Sequence, residues 1–164
     1  ILVNKSKKRK KEKMINKRSL ENISTGRKIL IREENFVYLL PCEQLGVDIQ
    51  FQISFPNKSI ISDDYTIMPH GSATLVLFNY NAELYSFLFG PTTKSIKVGD
   101  IANNVMHIII EFQPAGFFPF TKINQKKLTD QIIPFSLIDN SLDIAMRNIF
   151  ITSLSVDELL LEFE

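Results

Sequence analysis

Two histidines and one cysteine bound the chemistry this chain can perform. His107 and Glu111 lie an even number of residues apart in an apolar run, so on a strand they point to one face, and His70 in a turn supplies a third group of metal-ligand type. No His-x-His pair accompanies them, and neither a metal nor a cofactor is expected. His70, Tyr85, His107 and Glu111 are instead expected to bind a small molecule, with His107 on a pocket wall or a solvent face. Cys42 follows Pro41 at an expected strand end, without a Cys-His signature or a Gly-x-Ser-x-Gly elbow, and reads as an ordinary half-buried thiol. Asp63 and Asp64 are adjacent, so on a strand they face opposite ways, and Ser62-Asp63-Asp64 has the composition of a turn. Gly90-Pro91-Thr92-Thr93 lacks the spacing of a phosphate loop and reads as a β-turn. No catalytic residue is expected, and the chain reads as a non-enzyme.

Positioning such groups requires strands. Asp48-Ile49-Gln50-Phe51-Gln52-Ile53-Ser54-Phe55 alternates polar and apolar residues throughout, the mark of a half-buried strand. Further strands are predicted over residues 36–40, 59–61, 65–68, 74–80, 84–89, 95–98 and 105–112, rich in β-branched and aromatic side chains. Met68-Pro69-His70-Gly71, Gly90-Pro91-Thr92-Thr93-Lys94 and Gln113-Pro114-Ala115-Gly116 punctuate them, Pro by fixing φ and Gly by permitting φ > 0. Short strands at this spacing predict a sandwich or a closed barrel.

After Pro119 the period changes. Residues 124–130 hold one helical turn, Pro134 starts a second short element, and residues 141–150 predict a helix with Leu142, Ala145, Met146, Ile149 and Phe150 on one stripe. Ser155-Val156-Asp157-Glu158 has capping-box spacing, with Leu154 and Leu159 where a hydrophobic staple would stand. That last helix has a marked start and no stop signal, so it is expected to continue beyond Glu164 in the natural protein. Leu142, Met146, Ile149, Leu159 and Leu160 are the expected dimer or relay surface. Phe117, Phe118 and Phe120 suit either core filling or the wall of an aromatic cavity.

At 164 residues and 45% hydrophobic, the chain can bury one sizeable core. The expected organisation is a basic, flexible leader over 1–27, a β-barrel over 28–122 and a helical segment over 123–164. The net charge of +1 hides an asymmetry: residues 1–18 carry nine Lys/Arg against one acid, the remaining 146 carry ten against seventeen. An acidic body is poorly suited to a phosphate backbone. The single cysteine fits a reducing compartment, and no run approaches the roughly 20 apolar residues of a membrane span. A cytoplasmic location is the expectation. Ile1 in place of an initiator Met suggests that the present ends are not those of a natural gene product.

Ile67-Met68-Pro69-His70-Gly71, Leu75-Val76-Leu77-Phe78-Asn79, Phe89-Gly90-Pro91-Thr92-Thr93-Lys94, Ile109-Ile110-Glu111-Phe112-Gln113-Pro114-Ala115-Gly116 and Leu128-Thr129-Asp130 together form an ordered pattern. It resembles the N-terminal sensor region of bacterial AraC-type transcription regulators over about residues 36–164. The resemblance implies a cupin-like, double-stranded β-helix or jelly-roll barrel with C-terminal helices. It also implies a small-molecule effector, a homodimer, and DNA contact only through a separate helix-turn-helix domain absent from this sequence. The chain departs from the pattern at Ser72 in place of a common Cys, Glu111 in place of a common Arg, and Ala115 in place of the first Gly of a pair. Glu111 reverses a charge, so a ligand preference built on the usual Arg does not transfer. The implied alternative is a metal-dependent cupin enzyme or binder using His70, His107 and Glu111.

Overall fold

Alternation turns directly into burial in β3 (Ile49–Ser54), where Ile49, Phe51 and Ile53 are buried while Gln50, Gln52 and Ser54 are half-buried. The computed structural model describes residues 15–23, 26–42, 45, 49–55, 66–80, 83–97 and 106–164. Around β3 are β1 (Ile29–Arg32), β2 (Phe36–Leu39), β5 (Thr74–Tyr80), β6 (Glu83–Phe89), β8 (His107–Phe112) and β9 (Ile132–Pro134). They form one antiparallel sheet in the order β1-β2-β3-β8-β5-β6-β9, while β4 (Thr66–Ile67) pairs with β7 (Ile96–Lys97). The fold is mainly β and of jelly-roll type, followed by the helices α1 (Phe117–Thr121), α2 (Asn140–Thr152) and α3 (Val156–Phe163). No helix among the described residues is long and apolar enough to cross a membrane.

One face of the sheet is the core. Val37, Leu39, Phe51, Ile53, Leu75, Leu77, Leu88, Ile108 and Ile110 pack there with Phe117, Leu128, Phe135, Met146, Val156, Leu159 and Leu160 from the chain beyond β8. Each such side chain contributes about 1.5–3 kcal/mol on burial, which is why the helical segment folds onto this face. β1 and β9 were not predicted as strands. Both are short edge strands, and Pro134 is tolerated in β9 because that strand pairs only with β6.

The expected flexible leader over 1–27 needs correction within its described part. Residues Lys17–Asn22 form a 3₁₀ helix capped by Asn16, with Leu20 buried and Ile15 and Ile23 packed against the core. Three apolar residues at short spacing anchor this stretch despite its charge. The predicted strand over 59–61 and the pair Asp63-Asp64 lie outside the described residues.

The predicted stripe of α2 is also corrected. Asp143 and Met146 are buried, Ile149 and Phe150 are half-buried, with Phe150 packed against the core as expected, and Leu142 and Ala145 are exposed. Asp143 accounts for the rotation, because its carboxylate accepts a 2.8 Å bond from Arg147 Nε and another from Ser86 Oγ of β6. Leu159 and Leu160, expected on a dimer or relay surface, are 0% exposed and pack in the chain's own core. Ser155 Oγ does cap α3 by accepting from Glu158 N at 3.1 Å, but the Glu158 carboxylate reaches back to Leu154 N rather than to the cap residue. Leu154 is exposed, so the expected staple is not buried.

The turn residues meet at one corner. His70 and Thr92 exchange backbone bonds of 3.2 and 2.9 Å, and Asp130 accepts from Thr93 N and Thr93 Oγ1 at 2.7 and 2.6 Å. Gly90 N donates to Gln131 O at 2.9 Å. A Cβ on Gly90 would stand 1.8 Å from Leu128 O, so this close approach requires glycine.

Candidate functional site

The face of the sheet turned away from the core is half-buried and carries the chain's interesting polar groups. Register decides which of them meet. His107 stands opposite Ser54 on one side and Phe78 on the other, and Phe78 stands opposite Tyr85. Farther along β8, Glu111 stands between Gln50 and Thr74. Tyr85, His107 and Glu111, three of the predicted ligand-binding residues, therefore share one face. His70 does not join them. It lies beyond Thr74 in the turn bridged to Thr92, at the end of β5 remote from His107, and its Nδ1 is buried without a hydrogen-bond partner.

At one end of this face the His107 ring meets Phe78 edge-on at 5.9 Å, and Phe78 stacks on Tyr85 at 5.5 Å and Phe87 at 6.1 Å. His107 is 7% exposed, and burial pushes its pKa down to about 4, so the imidazole is neutral at physiological pH. The Tyr85 hydroxyl donates to Glu83 at 2.8 Å, which raises the phenol's pKa.

At the other end the Tyr38 hydroxyl lies 3.1 Å from Glu111 Oε2 and also contacts the Gln50 side-chain amide. One hydroxyl hydrogen cannot serve two acceptors, so a Gln50 amide turned to present its NH₂ satisfies all three groups. Burial, and then the Glu111 charge, push the Tyr38 pKa up to about 12. Tyr38, Gln50 and Phe78 were not singled out from sequence. Their signal was the alternation that places them in phase with His107 and Glu111.

The expected metal set of the alternative reading is not assembled. His107 and Glu111 are four residues apart on β8, roughly 13 Å along a strand, too far to share one ion. Sharing a face is not sharing a site. Among the described residues no three His, Cys, Asp or Glu side chains come together to hold a metal. Cys42 is half-buried, and its backbone N–H donates to Glu164 Oε1 at 2.9 Å.

A separate groove of about 540 Å³ opens among the turns, bordered by Gly71, Pro91, Ala115, Phe118 and Gln125. It contains none of Tyr85, His107 or Glu111. Gln125 Nε2 donates to Gly71 O at 2.8 Å, and its Oε1 is buried without a partner. The phenylalanine cluster divides here: Phe117 is buried edge-on against Phe112 at 5.0 Å, and Phe118 is exposed at the groove.

Comparison with known families gives one match, over residues 39–134, to the domain of unknown function DUF6597. The matched span runs from the last residue of β2 to the last residue of β9, so it takes in the turn corner and the half-buried face except for Phe36 and Tyr38 of β2. No curated protein matches the chain, and no solved structure does.

Proposed function

The chain belongs to the DUF6597 family, and we propose that it is the sensor domain of a bacterial, cytoplasmic AraC-type transcription regulator with a cupin-like barrel. In this reading the half-buried sheet face holds a small-molecule effector, and the protein is not an enzyme. The C-terminal helices dimerise or pass the signal on, and DNA contact belongs to a helix-turn-helix domain outside this sequence. The observation that carries the reading is the half-buried face itself, where stacked rings meet a neutral buried histidine at one end and a hydrogen-bonded carboxylate stands at the other. Apolar walls with a few placed polar groups are what a small-molecule site requires.

Dimerisation is supported by the outer surface of α2. Its two charged residues, Asp143 and Arg147, are turned toward each other and toward β6, and every exposed residue of the helix is uncharged. Leu142, Ile144 and Ile151 stand on that uncharged surface.

The test is a thermal-shift screen of sugars, amines, carboxylates and aromatic metabolites against the chain. A ligand at a hundred times its Kd adds about 2.7 kcal/mol of stability, a readily measured rise in Tm. At least one compound should raise Tm in the wild type and fail to do so in Phe78→Ala. A screen without a stabilising compound overturns the sensor reading.

A further inference from the structure

The sign of the charge on the half-buried face narrows the ligand. Among the described residues that share this face in β2, β3, β5, β6, β8 and β9, only Glu111 and Glu83 carry charge, and both are acids. Arg32 of β1 stands opposite Val37, whose side chain is in the core, and so belongs to the other face. His107 adds no positive charge while its imidazole is neutral. Beside Glu111 the face presents the ring of Tyr38, with Phe89 beyond Thr74, while Phe36, Phe78, Tyr85 and Phe87 gather toward the His107 end. Aromatic faces carry negative electrostatic potential and attract cations.

We infer that the effector is a small organic cation, an ammonium or guanidinium group on an aromatic or branched apolar body. This rests on the sensor reading of the same face. Glu111 is the anchor. Its Oε2 takes the Tyr38 hydroxyl, its Oε1 accepts no hydrogen bond from a described residue, and both its partner Tyr38 and its cross-strand neighbour Gln50 are uncharged. A half-buried carboxylate held only by neutral groups retains most of its charge for an incoming cation, whose apolar body then lies on the rings. Among the described residues of this face, an anionic ligand at Glu111 would meet a carboxylate and no cation.

Isothermal titration of the whole chain with benzyltrimethylammonium, phenylacetate and benzyl alcohol tests the inference. These probes share a benzyl body and differ in charge. The cation should bind at least tenfold more tightly than the other two, and Glu111→Gln should remove that preference. Gln52→Glu adds a carboxylate to the same face and should tighten the cation, a gain that remains readable if Glu111→Gln does not fold. Phenylacetate or benzyl alcohol binding as tightly as the cation overturns the charge assignment and leaves the sensor reading standing. Cation affinity unchanged in both variants overturns it equally. Binding by none of the three probes overturns it too, and the metabolite screen then decides the sensor reading separately.

Discussion

At His107 the decisive quantity is the cost of burying a charge. The folded pKa is about 4 against an ordinary 6.5, so between those values the unfolded chain holds a proton that the folded chain does not. The contribution of this residue to stability is therefore complete above about 6.5, and is lost as pH falls through about 4. Between pH 7 and pH 5 the chain should lose about 2 kcal/mol from this source, measured by urea unfolding at both values. His107→Gln should flatten that slope, and an unchanged slope would assign the acid sensitivity to other groups. Ala115 is a second residue whose conformation sets its energetics. It sits at φ 70°, in the left-handed region that costs a residue with a Cβ about 1–2 kcal/mol. Glycine removes that strain but adds entropy to the unfolded chain, so Ala115→Gly should stabilise by about 1 kcal/mol, a Tm rise of roughly 2–4 °C. No rise would mean that the groove around Ala115 relieves the strain in another way.

Among the elements, α2 depends most on a polar contact. Arg147 donates to Asp143, to Ser86 Oγ at 3.0 Å and to the Leu84 carbonyl, fastening the helix to the core side of β6. Removing one partner strands the other in a largely buried place, so Asp143→Ala should cost about 3–5 kcal/mol in chemical denaturation. Asp143→Leu combined with Arg147→Met should recover most of that loss, because a buried ion pair is weak evidence for net stability. A double variant as unstable as the single one would show that the helix needs the polar link itself. The same contact explains where the sequence was legible. Strands with strict alternation, such as β3 and β5, and the capped start of α3 could be read directly, since local pattern and burial agree there. The α2 stripe was misjudged because an aspartate holds its buried edge, a pairing with β6 that no local pattern encodes. The candidate face was half legible. Parity placed His107 and Glu111 on one side of β8, but only register across five strands shows Phe78 and Tyr38 as their neighbours and His70 as remote.

Across the whole molecule, β6 joins the two proposed activities. Tyr85 and Phe87 turn toward the candidate ligand face, while Leu84 O and Ser86 hold Arg147 and Asp143 of α2 on the other side. If α2 is the dimer contact, Ile151, 69% exposed, can be changed to Glu with little effect on the monomer. Ile151→Glu should then convert a sedimenting dimer into an 18.8 kDa monomer, whereas identical profiles for wild type and variant would place the contact elsewhere. Binding free energies are reciprocal, so a ligand that shifts β6 must change dimer affinity by the factor through which dimerisation changes its own binding, typically 5–150-fold. The expected experiment is analytical ultracentrifugation with and without benzyltrimethylammonium. The wild type should show the shift, and the Asp143→Leu/Arg147→Met variant, with its strand-to-helix link removed, should bind the cation and dimerise without coupling the two. Equal coupling in both proteins would mean that the signal leaves the sheet by a route other than β6, because nothing else distinguishes the variant at that contact.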